Sequence, residues 1–487
     1  MSKQDKQPVA LPICFLTEMW ERYGFYLVQV AIVLFLVHFF HYSESLSGQL
    51  AGTFIGLVYT TSILGGMVAD RWLGHFVSAV VGEYILIICY SLIGMSVILY
   101  NPYWLLVGLS GVAVGTGLVK ANISALLSNF YQPNAPQREQ GYSIFYTGIN
   151  LGAVLGSLTA GIITTWIFDG FLSDYDLAWA LPFFLCAIGA FIGFLTLQIG
   201  IKKNHIDIEQ KQRDKNQWSD LAVALGYILL TWIGCILILR FTALSTLVFS
   251  ILLIGCIIIL ITDGIKYPTY RFYIIGIAGL LIISVVFWTL YFQFYTSYIG
   301  LFSSVFRSRV FGFEFSVPFY LSFINIGVVL FGGLLGRIWL KFEKQGRPIH
   351  YVDKFLLGLG LAGLATWVIT SSITIMPLTM LVPGLTLILA CLILALADLS
   401  LSPIGLSATC QLAPPKRQGV YMGIWLISIG LGGKIAGLLS FIMNESDQQP
   451  LHIIHEHYIH GMWINSLIAA AFIIFGLVIR RPLKRLI

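Results

Sequence analysis

The chain has 487 residues, of which 58% are hydrophobic and only 10% charged, and its mean hydropathy is +0.87. So few charges cannot cover the surface of a water-soluble domain of this length, which excludes a soluble enzyme and makes lipid the expected outer solvent. The net charge of +6 is carried by basic residues gathered in a few connections, a pattern of membrane topology that does not point to a nucleic-acid partner.

Residues 1–9 are polar, and the apolar run after them is too long for the core of a cleaved signal, so the first span is expected to be retained. Apolar runs long enough to cross a hydrocarbon core of about 30 Å then recur in chain order. They lie at 10–40, 48–69, 76–99, 103–130, 142–168, 178–200, 218–238, 243–262, 272–301, 316–340, 353–371, 376–403, 418–443 and 461–479. About fourteen spans put both termini on one side. The connections on that side hold Lys202, Lys203, Lys211, Arg213 and Lys215, then Arg337, Lys341, Lys344, Arg347 and Lys354, then Arg480, Arg481, Lys484 and Arg485. The opposite connections are short or acidic, as at Asp169, Asp174 and Asp176, with Arg240, Arg307 and Arg309 as exceptions. The excess of Lys and Arg makes the terminal side cytoplasmic.

The polar break 202–217 separates six spans from a pair, and six more follow. The expected division is a six-helix bundle at 1–201, a loop and two-helix linker hairpin at 202–271, and a second six-helix bundle at 272–487. A short echo between Gly65–Trp72 and Gly332–Trp339 is consistent with duplication. The seven cysteines sit singly in or beside apolar runs and read as packing residues. No metal-ligand spacing or activated nucleophile occurs in the spans, so no cofactor and no enzyme activity are expected.

Ionisable residues deep in a span cost about 2.5–3.5 kcal/mol each on insertion scales, so those that persist are candidates for function. Glu18, Glu21 and Arg22 fall at i, i+3 and i+4 on one helical face, and Tyr26 extends that face by a turn. Lys120 lies too deep in the fourth span to reach either surface. Glu83 reads as a local partner for a neighbouring base, with a proton site as the alternative, and Asp398 and Lys434 read as further buried charges. Four histidines, His452, His455, His457 and His460, lie in the expected connection before the last span and read as a solvated interfacial stretch, with a metal site as the alternative.

The tract Glu18-Met-Trp-Glu21-Arg22-Tyr23-Gly24-Phe25-Tyr26 resembles the E-x-x-E-R-F-x-Y-Y signature of proton-dependent oligopeptide transporters, a branch of the major facilitator superfamily. Gly115-Thr-Gly-Leu-Val-Lys120-Ala-Asn122-Ile-Ser124 and Phe145-Tyr146-Thr-Gly-Ile-Asn150-Leu-Gly152 resemble its fourth- and fifth-helix motifs. Asp398-Leu-Ser-Leu-Ser402-Pro403 and Met422-Gly-Ile-Trp425 resemble its tenth and eleventh helices. The resemblance implies an all-α membrane protein of the major facilitator fold that imports di- or tripeptides, or peptide-like solutes, with protons. It implies an inner-membrane protein working as a monomer, with protons, a small substrate and the lipid bilayer as its partners.

On that resemblance Glu18, Glu21, Arg22 and Lys120 couple protons. Arg22 and Lys120 would also meet a substrate carboxylate, and Asp398 with Ser402 its ammonium. Asn122, Asn150, Gln293 and Asn325 would bind peptide amides, Tyr26, Tyr59 and Trp425 would form tolerant walls, and Asp70 with Arg71 would assist gating. Tyr59 serves equally well as a packing residue. The chain also departs from the pattern. Phe25 stands for a Tyr, Ala121 for a Pro, Asp398 for a Glu, Gln29 for a frequent Arg, and Phe292 for the seventh-helix acid. Lys434 stands where a small or amide residue is usual; facing the cavity it would favour a more acidic substrate, and a hydrogen-bonded structural role is the alternative. These departures keep open a transporter of a non-peptide carboxylated metabolite or siderophore, or a facilitator with altered proton coupling.

Overall fold

A backbone in hydrocarbon must pair its own N–H and C=O groups, and a single apolar run can do so only as a helix. In a computed structural model the described residues are 7–131, 136–172, 175–203, 217–310, 312–347, 349–415, 417–443 and 451–486. Lys211, Arg213, Lys215 and Asp174 lie outside them, as does the side chain of His457. Fourteen helices of at least 23 residues appear: α1 (Ala10–His38), α2 (Glu44–Val68), α3 (His75–Ile98), α4 (Pro102–Ser128), α5 (Pro136–Phe168), α7 (Leu181–Lys203), α8 (Gln217–Arg240), α9 (Thr242–Lys266), α10 (Arg271–Gln293), α12 (Val317–Lys344), α13 (Tyr351–Ile375), α14 (Gly384–Leu412), α15 (Gln418–Met443) and α16 (Leu451–Leu486). Short elements complete the order: a π-helical turn Ala69–Leu73, α6 (Tyr175–Ala178), α11 (Ile299–Val305), and antiparallel strands β1 (Arg309–Val310) and β2 (Phe313–Glu314).

Local chemistry sets several boundaries. Asn101 caps α4 by accepting from the Tyr103 amide at 2.9 Å, with Pro102 at the first helical position, where its missing N–H costs nothing. Gly74, at φ +75°, ends the π-turn and lets α3 start at His75. The expected ninth span 272–301 divides instead, because the Tyr298 amide closes back on the Gln293 carbonyl at 2.9 Å and α11 starts afresh. The twelfth begins only after Pro377 and Pro383, and runs through Pro403 to Leu412. The echo Gly332–Trp339 lies inside the unbroken α12, not in a turn like that of Asp70, so the two tracts are not structural equivalents.

Contacts group the described residues into two units, Met1–Ala31 with Leu57–Phe241, and Ile32–Gly56 with Thr242–Ile487. In the first, α3 packs on α4 and α7, and small residues allow close approach: a Cβ at Gly82 would lie 2.9 Å from the Gly115 carbonyl oxygen. Helix α8 joins this unit, with Trp232 donating to the Val107 carbonyl at 3.0 Å. In the second unit α13 packs on α14 and α16, and α10 on α15. Helix α9 belongs here and is held at both ends. Asp263 pairs with Arg417 at 2.9 Å, and Ser245 accepts from Lys434 at 2.6 Å. The basic end of α16 closes on α13, where Asp353 takes Arg480 at 2.7 Å and Lys484 as well.

Candidate substrate and proton site

Helix α1 presents Glu18, Glu21 and Arg22 to the interior of the first unit, and all three are buried. The Arg22 Nε donates to Glu21 and lies 3.6 Å from Glu18 Oε1, while the guanidinium sits 5.0 Å from the Phe25 ring centroid. The spacing read from sequence therefore does bring two carboxylates onto one guanidinium. Their second oxygens, Glu18 Oε2 and Glu21 Oε1, have no hydrogen-bond partner among the described residues, nor does Arg22 Nη2. Such a network has spare donors and acceptors with which to change partners.

Lys120 enters from α4. Its ammonium lies 4.2 Å from the centroid of the Tyr59 ring, close enough for its charge to act on Glu18, Glu21 and Arg22, yet it makes no ion pair within 4.0 Å among the described residues. Tyr59 is therefore the cation's seat, a role the sequence reading left undecided between wall and packing. Tyr26 stands partly open beside Phe25, their rings edge-on at 5.3 Å. On α5, Asn150 is partly exposed and among the described residues donates only to the Tyr146 carbonyl at 3.1 Å.

Two expected amide binders are occupied elsewhere. Asn122 is fully buried; its amide nitrogen donates to the Leu118 and Gly65 carbonyls at 2.7 and 3.2 Å, and its oxygen faces His75 Nδ1 at 2.9 Å. The side chain ties α4 to α2 and α3 and has no group left for a peptide. Gln293 is likewise buried, donating to Asn465 at 3.0 Å and accepting from Tyr298 at 3.1 Å. Side-chain amides look alike in sequence whether they meet substrate or a neighbouring carbonyl, and these two meet neighbours. Asp70 and Arg71 are exposed in the π-turn, where His75 Nε2 stands 3.8 Å from Asp70.

In the second unit, Asp398 and Ser402 sit one turn apart on α14, the serine hydroxyl donating to the carboxylate. Trp425 on α15 is buried against Gly405 of α14 and 5.9 Å from the Phe355 ring, and Asn325 is buried on α12. Phe292, at the position of the missing acid, is buried and stacks 5.3 Å from Trp288. Lys434 does not face a cavity: it is buried and donates to Thr53 at 3.1 Å and Ser245 at 2.6 Å, the structural alternative of the sequence reading. A cavity of about 520 Å³ between α9, α10, α15 and α16 is walled by residues such as Leu253, Ile282, Val286, Leu431 and Phe472, and its apolar lining suits no charged peptide.

Glu83 also departs from expectation. It is fully buried and neither carboxylate oxygen has a hydrogen-bond donor among the described residues, so the neighbouring base assigned to it from sequence is absent there. The histidines before the last span lie on α16 itself, which begins at Leu451. His455 is buried with Nε2 3.1 Å from the Ile373 carbonyl, His452 and His460 are exposed, and no cluster of three metal-binding side chains occurs among the described residues.

The POT family model matches residues 73–458. The chain belongs to the POT family. It is thus a multi-pass membrane protein of a transporter family, with the all-α major facilitator architecture. Among similar proteins, dipeptide and tripeptide permease B of Salmonella typhimurium is 27% identical over 449 residues, covering 91% of this chain and 89% of its own. Peptide transporter YePEPT of Yersinia enterocolitica subsp. palearctica is 26% identical, with coverage of 89% and 87%. A crystal structure of a peptide transporter POT in complex with alafosfalin aligns at a TM-score of 0.82 and 25% identity, over 99% of this chain and 96% of that one.

Proposed function

We propose that the chain is a proton-coupled symporter that imports di- and tripeptides, or peptide-like solutes, by alternating access. The carrying observation is the buried Glu18, Glu21 and Arg22 cluster with Lys120 beside it. Support comes from relatives named dipeptide and tripeptide permeases that align over nearly the whole chain. While Glu21 and Glu18 are ionised they hold Arg22 and attract Lys120. Protonation of one carboxyl frees Arg22 or Lys120 for a substrate carboxylate, so proton and peptide favour the same state. Asp398, oriented by Ser402, takes the substrate ammonium; Asn150 and Asn325 meet its amides, and Tyr26 and Trp425 form walls.

The two bundles 1–201 and 272–487, with the 202–271 hairpin as linker, are the moving parts in this reading. The protein lies in a bacterial inner membrane with both termini cytoplasmic and works as a monomer.

Purified protein in liposomes, given labelled dialanine with and without an inward pH gradient, tests the reading. Glu21→Gln is expected to abolish gradient-driven accumulation and to leave counterflow. Wild-type accumulation by that variant would refute it, and thermal stabilisation by carboxylated metabolites but by no peptide would move the substrate to the non-peptide class.

A further inference from the structure

Glu83 is the ninth residue of α3, deep in the first unit, and the groups around it can be named element by element. From α1 come Glu18, Glu21 and Arg22, whose charges act on it. From α7 comes Gly193, where a Cβ would stand 3.2 Å from Glu83 Oε1 and 3.4 Å from Trp20 Cβ; the missing side chain makes the room the carboxyl occupies. The same helix carries Cys186, whose thiol donates to the Gly24 carbonyl at 3.5 Å, and Lys202 and Lys203, exposed at its far end. On α3 itself Tyr90 packs against Gly24, its hydroxyl buried without a partner among the described residues. The ionisable side chains of α4 are Tyr103, which is exposed, and Lys120, seated on Tyr59. Asp70 and Arg71 of the π-turn and Asp176 of α6 are exposed.

Charge counting then points to one group. The cluster contains three carboxylates, Glu18, Glu21 and Glu83, against two cations, Arg22 and Lys120. Glu18 and Glu21 have the guanidinium, whereas an ionised Glu83 would stand in an apolar interior without a donor, an arrangement proteins avoid by taking up a proton. A single proton neutralises the cluster, and on Glu83 it disturbs no existing pair. Arg22 Nη2 is a spare donor within the same cluster, able to receive the carboxylate once that proton leaves.

We propose that Glu83 is a second proton-binding site of this transporter, loaded together with the site at Glu18 and Glu21 and discharged with it. Resting on the proton-coupled reading above, the site works as follows. In the loaded state Glu83 and Glu21 are both neutral acids, and Arg22 and Lys120 are released to substrate. On discharge each O–H bond breaks and its proton passes to water. Arg22 then spans Glu21 and Glu83.

A carrier that couples one proton fewer per peptide loses about a factor of ten in limiting accumulation for each unit of pH difference across the membrane. In liposomes Glu83→Gln is therefore expected to keep counterflow and to accumulate dialanine about tenfold less per pH unit than wild type, while Glu83→Asp restores the ratio. A wild-type accumulation ratio and pH profile in Glu83→Gln would overturn the proposal. If Glu83→Gln lacks counterflow, infrared difference spectra of wild type and Glu83→Asp decide. The C=O band of a buried protonated carboxyl should respond to peptide and should shift in Glu83→Asp, and an unshifted band overturns the assignment. A wild-type protein that ignores the pH gradient would sink the symport reading itself, an outcome distinct from either result with the variants.

Discussion

Lys120 shows how much of a site can rest on one ring. With its ammonium 4.2 Å from the Tyr59 centroid and no carboxylate within 4.0 Å among the described residues, Lys120 rests over the face of that ring. A desolvated cation–π contact of this kind is worth about 0.5–2 kcal/mol. Tyr59→Leu is accordingly expected to raise the KM for a dipeptide by roughly two- to thirty-fold, and Tyr59→Phe, which keeps the ring, to stay within about twofold of wild type. Equal effects of the two substitutions in reconstituted uptake would assign the tyrosine to packing through its hydroxyl instead. Glu18, Glu21 and Arg22 were legible from spacing alone, because i, i+3 and i+4 place side chains on one face wherever the helix goes. The Tyr59 seat and the isolation of Glu83 were not, since each depends on which helices become neighbours. Asn122 and Gln293 mark the same limit from the other side: the motif named the residues, and only packing tells that their amides serve α2 and Asn465.

At the scale of elements, α9 is clamped by two unlike contacts that call for opposite expectations. Asp263 is buried and its partner Arg417 is partly exposed, so Arg417→Ala strands a carboxylate in low dielectric and should lower the melting temperature. Lys434 at the other end has hydroxyl partners and no ion pair among the described residues. Thr53 and Ser245 keep their own donations, to the Gln49 and Thr242 carbonyls at 2.7 Å each, when the lysine is removed. Replacing such a buried charge by an apolar side chain of similar size is neutral or stabilising. Lys434→Met is therefore expected to leave the melting temperature unchanged or raised and the preference among neutral and acidic dipeptides unaltered. A changed charge preference would return this lysine to the substrate path, the role the sequence left open beside the structural one.

For the whole molecule, the number of spans was legible because hydrocarbon forces every apolar run into a helix, whereas their ends were not, because caps, turns and prolines set those. The α10 closure at Gln293 and the early start of α16 at Leu451 are both decided by contacts that hydropathy does not see. Nor did hydropathy show that residues 44–56 of α2 pack on α15 within the second unit, through Gly48, Gly52, Gly433 and Gly437. At Gly52 a Cβ would meet the Gly433 carbonyl oxygen at 2.5 Å and the Gly437 Cα at 2.6 Å, both backbone atoms that no rotamer change can move aside. This seam joins a helix from the first six spans to one from the last six, and with the bundles proposed above as the moving parts it would part and be remade in each cycle. Gly52→Val is thus expected to lower the melting temperature and slow dialanine counterflow, because overpacking of this kind costs about 1–3 kcal/mol in the joined state and nothing in the parted one. Gly226 on α8, where nothing lies within 4 Å, is the matched control, and Gly226→Val should leave both readouts at wild-type values. Equal behaviour of the two variants would mean that the glycines of α2 and α15 are not a working seam.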